Sequence, residues 1–476
     1  MPSYSLITFG CQMNVHDSDR MHEVLRGAGY VEAEGVEGAD VVVLNTCSVR
    51  EKGEQKLRSE VGRLALHKKR RGGDMVIAVA GCVAQQEGEK LLTRMPDLDV
   101  VLGPDNVAEL PALLAQAESG GLPVVRTVFD LDSPRFLTAD TARPGGSPVS
   151  TFVTIMKGCD ERCSFCIVPH TRGPERYRPS REIVAEIRAL AASGTAEVTL
   201  LGQTVNSYRD PENALPSAPE ALVDDPDESE FAALLRRIAT EAPELARLRY
   251  TSPHPRHLTP SLIAAHRELE VLCAHVHLPV QSGSDRVLKR MIRRYTRAEY
   301  VERTGRLLAA RPGMTLSTDV IVGFPGETDE EAEATVDLVR EMRFTGVFGF
   351  KYSPRPYTPA LKLGDDVSEA EKGRRLSRVF AVSEHNLVTH LATLVGRTER
   401  VLIEGRSKTG PTVMGRTARN EIVHVRGAES LDVVGRLVDV VIDRANKHSL
   451  EGAMTEVVKS SMSARPRDRR ILPIVG

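Results

Sequence analysis

The chain has no tryptophan, and aromatic residues make up only 4% of it. Rings on which nucleic-acid bases could stack are therefore scarce, so a nucleic-acid partner is expected to be gripped mainly through its phosphates. Long apolar runs are missing too. A stretch such as "MVIAVAGCVA" from Met75 falls well short of the roughly 18 residues a membrane-spanning helix needs. The start, "MPSYSLITFG", shows no basic leader before an apolar core, so a cytoplasmic location without membrane contact is expected. Nor is there an excess of one charge: 63 Lys and Arg stand against 65 Asp and Glu, the balance of a folded globular protein. Two local basic clusters, "HKKRRGG" from His67 and "SARPRDRR" from Ser463, are compatible with an RNA-binding face or with a plainly solvated one. Seven cysteines, an odd number, argue against a disulfide framework in a reducing compartment, which leaves metal binding or catalysis as their use.

At 476 residues the chain exceeds what one core supports, and several domains are expected. Residues 1–130 alternate short apolar runs, "YSLITFG", "ADVVVLNTC" and "MVIAVAGC", with amphipathic segments, the pattern of βαβ units on a parallel sheet. Residues 131–150 are rich in Pro, Gly and Ser and read as a linker. Residues 151–390 carry a second α/β series whose six strand-helix units fit a partial (β/α)6 barrel better than a full eight-unit one. Within it, Arg209–Glu230 is acidic and proline-rich, a surface insert without assigned chemistry. Residues 395–460, with short β-branched runs broken by Gly and Asn, read as a small all-β barrel, and 461–476 as a basic tail.

The stretch "MKGCDERCSFCIVPHTRG" places Cys159, Cys163 and Cys166 within eight residues. Zinc would need a fourth ligand, for which His170 is available. The position after the first strand of the barrel series, where ligands gather, favours instead an iron-sulfur cluster with one iron left open. Three further cysteines, Cys11, Cys47 and Cys82, lie 36 and 35 residues apart, each just after a strand of the leading domain. The carboxyl ends of parallel strands share one edge, so these three thiols can also converge on a metal. Cys273 reads as core packing.

The C-x3-C-x-(aromatic)-C spacing, with Phe165 as the aromatic, resembles the radical S-adenosylmethionine (SAM) superfamily. "FGCQMNVHDSD", "LNTCSVREKGEQK" and "AGCVAQ" sharpen this to the methylthiotransferase family, and residues 395–459 are similar to its RNA-binding TRAM domain. The resemblance implies two [4Fe-4S] clusters, one on Cys159, Cys163 and Cys166 and one on Cys11, Cys47 and Cys82, with SAM on the open iron of the first. It places Gly202, Gln203, Gln281, Ser282 and Asp319 at strand ends where they can contact SAM or simply cap helices. Lys157 and Arg172, beside the first trio, could offset a carboxylate charge.

"GCQMN" looks like members that methylthiolate C2 of N6-isopentenyladenosine next to the anticodon of tRNA. The family's other members act on threonylcarbamoyladenosine in tRNA or on a ribosomal-protein aspartate. A more distant alternative is a non-catalytic zinc protein that binds RNA. The implied partners are the tRNA anticodon loop, held by Arg406, Lys408, Arg416, Arg419 and Arg426, an electron donor such as a flavodoxin or ferredoxin, and sulfur-supplying or cluster-assembly proteins. With so few rings to stack on, tRNA affinity should fall steeply from low to moderate salt. A binding titration that stays flat over that range contradicts this expectation.

Overall fold

A computed structural model describes residues 1–48, 51–139, 148–212, 229–407, 412–428 and 432–458. Lys408, most of the acidic insert and the basic tail lie outside them. The leading part is a six-stranded parallel sheet. Its strands are β1 (Ser3–Phe9), β2 (Val31–Glu32), β3 (Val41–Thr46), β4 (Val76–Gly81), β5 (Val100–Leu102) and β6 (Val124–Arg126), in the order β2-β1-β3-β4-β5-β6. β3 and β4 are buried along their whole length, which explains why they read as continuous rather than alternating apolar runs. Helices cover both faces, so all three cysteine-bearing loops leave the same edge.

The central part is the expected partial barrel. Six parallel strands, β7 (Ser150–Thr154), β10 (Glu197–Leu201), β11 (Arg247–Tyr250), β12 (His275–His277), β13 (Thr315–Val322) and β14 (Gly346–Lys351), form two three-stranded sheets, β11-β10-β7 and β12-β13-β14. A bridge between Leu248 and Leu272 joins them. A short antiparallel ribbon, β8 (Met156–Lys157) with β9 (Arg176–Tyr177), brackets the cysteine loop. Among the described residues no strand pairs with the outer edges of β7 and β14, so the barrel is open between them. Leu316, Val320 and Val322 pack outward into the main core beneath the helices. Strand alternation then turns Ser317, Asp319 and Ile321 inward.

The last part is a closed five-stranded barrel of β15 (Thr398–Arg406), β16 (Val413–Thr417), β17 (Ile422–Arg426), β18 (Leu437–Ala445) and β19 (Leu450–Val457), in the order β15-β16-β17-β19-β18. Its β16–β17 hairpin sits under the amino ends of the central strands. Arg247 donates to the carbonyls of Arg416 at 2.6 Å and Arg400 at 2.9 Å. Arg249 donates to those of Ala418 at 3.2 Å and Thr417 at 3.0 Å, and Thr315 reaches the Arg419 carbonyl at 3.4 Å. Two arginines of one strand thus hold four carbonyls of another domain.

Removing a hydrogen-bond partner from a buried carbonyl costs about 1–3 kcal/mol. The double substitution Arg247→Ala, Arg249→Ala should therefore accelerate amide exchange around 400 and 416–418 by roughly ten-fold or more while leaving β3 and β4 unchanged. Unchanged exchange at 416–418 would show that these contacts do not hold the C-terminal barrel.

Candidate metal centres at the interface of two domains

In the leading domain Cys11 caps the helix Gln12–Gly27, Cys47 follows β3, and Cys82 opens the helix after β4. A buried amide network fixes the first two loops. Asn14 donates to Asn45 Oδ1 and to the Thr46 carbonyl, both at 3.1 Å, and Asn45 donates back to the Asn14 carbonyl at 2.8 Å. Thr46 ties the second loop to β4 through the Ala80 carbonyl at 3.0 Å. Gly81 can only be glycine: its φ is 92°, and a Cβ would lie 2.4 Å from Asn45 Oδ1, a left-handed turn that aims Cys82 at the other two loops. A hydrogen bond from Cys47 does most to lower the Cys11 pKa, to about 6, against the opposing effect of burial and with help from nearby backbone N–H groups and Arg172. Burial raises Cys82, with Arg172 again opposing.

In the barrel, Gly158, at φ 79° and with the Pro174 carbonyl 1.9 Å from where a Cβ would stand, turns the chain into the second trio. Cys159 Sγ lies 3.0 Å from Thr204 Oγ1, and Cys163 accepts from Arg293 at 3.2 Å. Burial pushes the Cys159 thiol up, and burial with the neighbouring Cys163 pushes Cys166 up to about 12. Phe165 packs with Ile321 on a small cluster of Val287, Met291, Phe324, Tyr352 and Ala360.

The two trios meet. Arg172, six residues past Cys166, donates to Asp17 Oδ2 of the leading domain at 2.5 Å, with both side chains buried, and its charge acts on both Cys11 and Cys82. Thr154, ending β7, lies 3.2 Å from His16 Nε2. Lys157 pairs with Asp105 at 3.2 Å, and Arg176 pairs with the same carboxylate. Lys157 and Arg172 thus pair with acids of the leading domain, and Arg172 acts on its thiols as well. Gln203 Nε2 also crosses the interface, to Met13 Sδ at 3.5 Å.

Each site offers three soft thiol ligands, a donor set that suits an iron-sulfur cluster with one open iron, whereas a structural zinc takes four ligands. Among the described residues neither trio, nor the second trio with His170, has all its ligand atoms within 4.8 Å of one another. His170 is instead exposed and lies against the Tyr357 ring, 5.7 Å between centroids. The group that does meet this distance is Glu161, His254 and His257, which sequence reasoning missed. His257 lies 3.0 Å from Glu161. Arg256, Arg293 and Arg294 also face His254, and burial with these charges holds it well below the usual histidine range, a setting that opposes a cation and anchors the cysteine loop to the loop after β11.

The remaining expected residues divide. Gly202 is closely packed, since a Cβ would lie 2.5 Å from Met156 Cγ. Gln203 Oε1 and Gln281 Oε1 are buried acceptors without a hydrogen-bond donor, and Gln281 holds a φ of 75°. Unpaired buried acceptors at the carboxyl ends of barrel strands suit a polar ligand such as SAM. Ser282 is fully buried with its hydroxyl engaged by Ser284 N at 3.2 Å and Thr335 at 3.4 Å, the arrangement of a helix-entry turn. Asp319 faces the barrel interior, 3.3 Å from His277 Nε2.

Three family models match the chain: "Uncharacterized protein family UPF0004" over residues 3–103, "Radical SAM superfamily" over 153–339 and "TRAM domain" over 392–455. A tRNA-2-methylthio-N(6)-dimethylallyladenosine synthase of Sorangium cellulosum is 65% identical, covering 100% of this chain and 99% of its own length. The chain belongs to the tRNA-2-methylthio-N(6)-dimethylallyladenosine synthase family. Another member, from Geobacter metallireducens, is 45% identical over 94% of this chain and 97% of its own. A solved radical S-adenosylmethionine methyltransferase of Kitasatospora setae, bound to cobalamin and a [4Fe-4S] cluster, aligns over 76% of this chain and 77% of its own at TM-score 0.49 and 18% identity. The family comprises radical SAM methylthiotransferases, which use SAM and [4Fe-4S] clusters. No helix among the described residues is long and apolar enough to cross a membrane.

Burial alone would raise the Asp17 pKa, but the Arg172 charge and a hydrogen bond with His16 outweigh it and hold the carboxyl at about 2. An unfolded Asp titrates near about 3.9, so the pair's contribution is complete above that pH and is lost as pH falls towards about 2. Asp17→Asn, which leaves Arg172 buried and unpaired, should destabilise the protein by about 3–5 kcal/mol at pH 7. The gap between wild type and variant in urea midpoint should close on acidification. A variant matching wild type at pH 7 would remove the pair from its structural role.

Proposed function

We propose that this chain methylthiolates C2 of N6-isopentenyladenosine next to the anticodon of tRNA, with the thiol trios in complementary roles. Supporting this is the docking of the two cysteine-bearing domains against one another, pinned by Arg172 and Asp17, in a chain 65% identical to a relative of that name. Cys159, Cys163 and Cys166 would hold the cluster beside SAM, with Gln203 and Gln281 as polar contacts, and Cys11, Cys47 and Cys82 would hold the second cluster. When bound, these groups supply the radical and the sulfur that an unactivated aromatic C–H requires.

The protein's own share is positional. Three cations on the barrel side, Lys157, Arg172 and Arg176, meet two acids on the other, Asp105 and Asp17. These contacts keep the two cysteine sets facing one another and close that side against water. The C-terminal barrel stands at the opposite end of the central strands, so RNA held there must run the height of β13, roughly 25 Å for eight residues at the usual strand rise. A stem-loop such as the anticodon arm has that reach. Of the expected phosphate contacts Arg406 is exposed, whereas Arg416, Arg419 and Arg426 pair with Glu404, with Glu399 and Glu421, and with Asp443. Phosphate binding then falls to Arg406 and to cations beyond these three. A low-potential donor such as a flavodoxin or ferredoxin, and sulfur-supplying or cluster-assembly proteins, complete the requirements of turnover in the cytoplasm.

Anaerobically reconstituted protein should carry about eight irons, and alanine at any one of the six cysteines should leave about four or a poorly held second cluster. Each variant should keep its far-ultraviolet circular dichroism yet produce no 2-methylthio nucleoside when digested tRNA is analysed by mass spectrometry. A methylthiolated ribosomal-protein aspartate with unmodified tRNA, or colourless zinc-loaded protein, would overturn the reading.

A further inference from the structure

Aromatic side chains are few, yet among the described residues three of the four large exposed ones cluster, Phe380 being the exception. Phe348, Phe350 and Tyr357 are 57%, 42% and 52% exposed and come from a single stretch, β14 and the loop after it. Phe348 and Phe350 are two apart on the strand and share a face. That face is the inner one. Phe348 lies opposite Asp319 and Phe350 opposite Ile321 in the β13–β14 register, and both β13 residues point inward. The intervening Gly349 faces the other way, where a Cβ would stand 2.5 Å from Leu376 and 3.0 Å from Phe380 of the covering helix. β14 borders the opening of the barrel, so the two rings line an unfilled ledge at its mouth.

Polar groups stand beside this ledge. His277 packs edge-on against Phe348, 5.5 Å between centroids, and its Nε2 lies 3.3 Å from Asp319 Oδ1. Asp319 and His277 each keep about a quarter of their side chains open, at 27% and 22%. The upper end of the ledge adjoins the cysteine site, because Ile321, opposite Phe350, shares a packing cluster with Phe165, the residue before Cys166. Two rings on one face, a carboxylate acceptor beside them and continuity with a thiol trio describe a seat for one flat heterocycle bearing an N–H donor and an apolar substituent.

We propose that Phe348 and Phe350, with Asp319 and His277, form the seat of the target nucleotide. It rests on the tRNA reading above. The rings take the face of the extruded adenine and its dimethylallyl chain. The Asp319 carboxylate accepts the single N6–H that an N6-alkylated adenine retains, which a guanine, with an acceptor at C6, cannot offer. Asp319 is on this account a substrate contact rather than a SAM contact. Phe348 and Phe350 are partly exposed, so trimming them need not disturb the fold.

The test compares anticodon stem-loop RNAs that carry isopentenyladenosine or plain adenosine at the target position, binding to reconstituted holoenzyme at one salt concentration. Wild type should prefer the alkylated loop. Phe348→Ala and Phe350→Ala should each lower affinity for it roughly five- to hundred-fold, the range set by stacking one base on one ring. Both should lose most of the preference, because the plain loop gives up only the base stacking whereas the alkylated loop gives up the alkyl contact as well. Leucine at either position should restore part of the alkyl preference, and Asp319→Asn should weaken both loops alike, since plain adenosine offers an N6–H too. Iron content and SAM binding should not change in any of these variants. A preference retained by both alanine variants would overturn the seat and leave the substrate reading standing. A wild-type enzyme without any preference would overturn both.

Discussion

One buried ion pair carries the geometry on which the rest depends. Arg172 belongs to the helix that follows the barrel's cysteine loop, and Asp17 to the helix capped by Cys11. Joining them ties one thiol trio to the other through a few residues of rigid backbone. Burying two charges is costly, and such a pair is weak evidence of stability for its own sake. What it provides is registry: either charge left alone would be heavily penalised, so the two domains have one preferred docking. The accompanying contacts of Lys157 and Arg176 with Asp105 repeat the device a short distance away. Rotation about a single contact is thereby prevented.

The central strands separate two tasks by their two ends. Their carboxyl ends bear the thiols and the unpaired amide oxygens of Gln203 and Gln281. Their amino ends are plugged by a hairpin of the C-terminal barrel, held by Arg247 and Arg249. A substrate that touches both must be extended, must follow the open side between β7 and β14, and must present its reactive base at one tip. Those demands suit a stem-loop.

Much of this was legible in the residues. The position of each cysteine just after a strand pointed to thiols at the carboxyl edge of two parallel sheets, and positive φ values at Gly81 and Gly158 make the turns into two of them. The six-unit count was equally plain, because each unit carries its own alternation of apolar strand and amphipathic helix. The choice of a cluster over zinc was legible too, from three thiols after the first barrel strand. Not legible was the place of His170, four residues after Cys166, which lies against Tyr357. Nor could Arg172 be matched to an acid 155 positions earlier, since nothing local marks a long-range pair. Arginines on the small barrel alternate with apolar residues as an exposed face would, yet Arg419 is spent between Glu399 and Glu421. Scarcity of aromatics, read from composition, hid their placement: period-two spacing puts Phe348 and Phe350 on one face but does not say which face is inward.

The most direct test of two facing metal centres is magnetic. In doubly reduced, reconstituted protein, paramagnetic clusters held across one interface relax and split each other's electron paramagnetic resonance signals. The wild-type spectrum should therefore differ from the sum of spectra of two variants, each lacking one trio, and Arg172→Ala should move it towards that sum. A wild-type spectrum equal to the sum would mean that the two sets of thiols do not share a cavity.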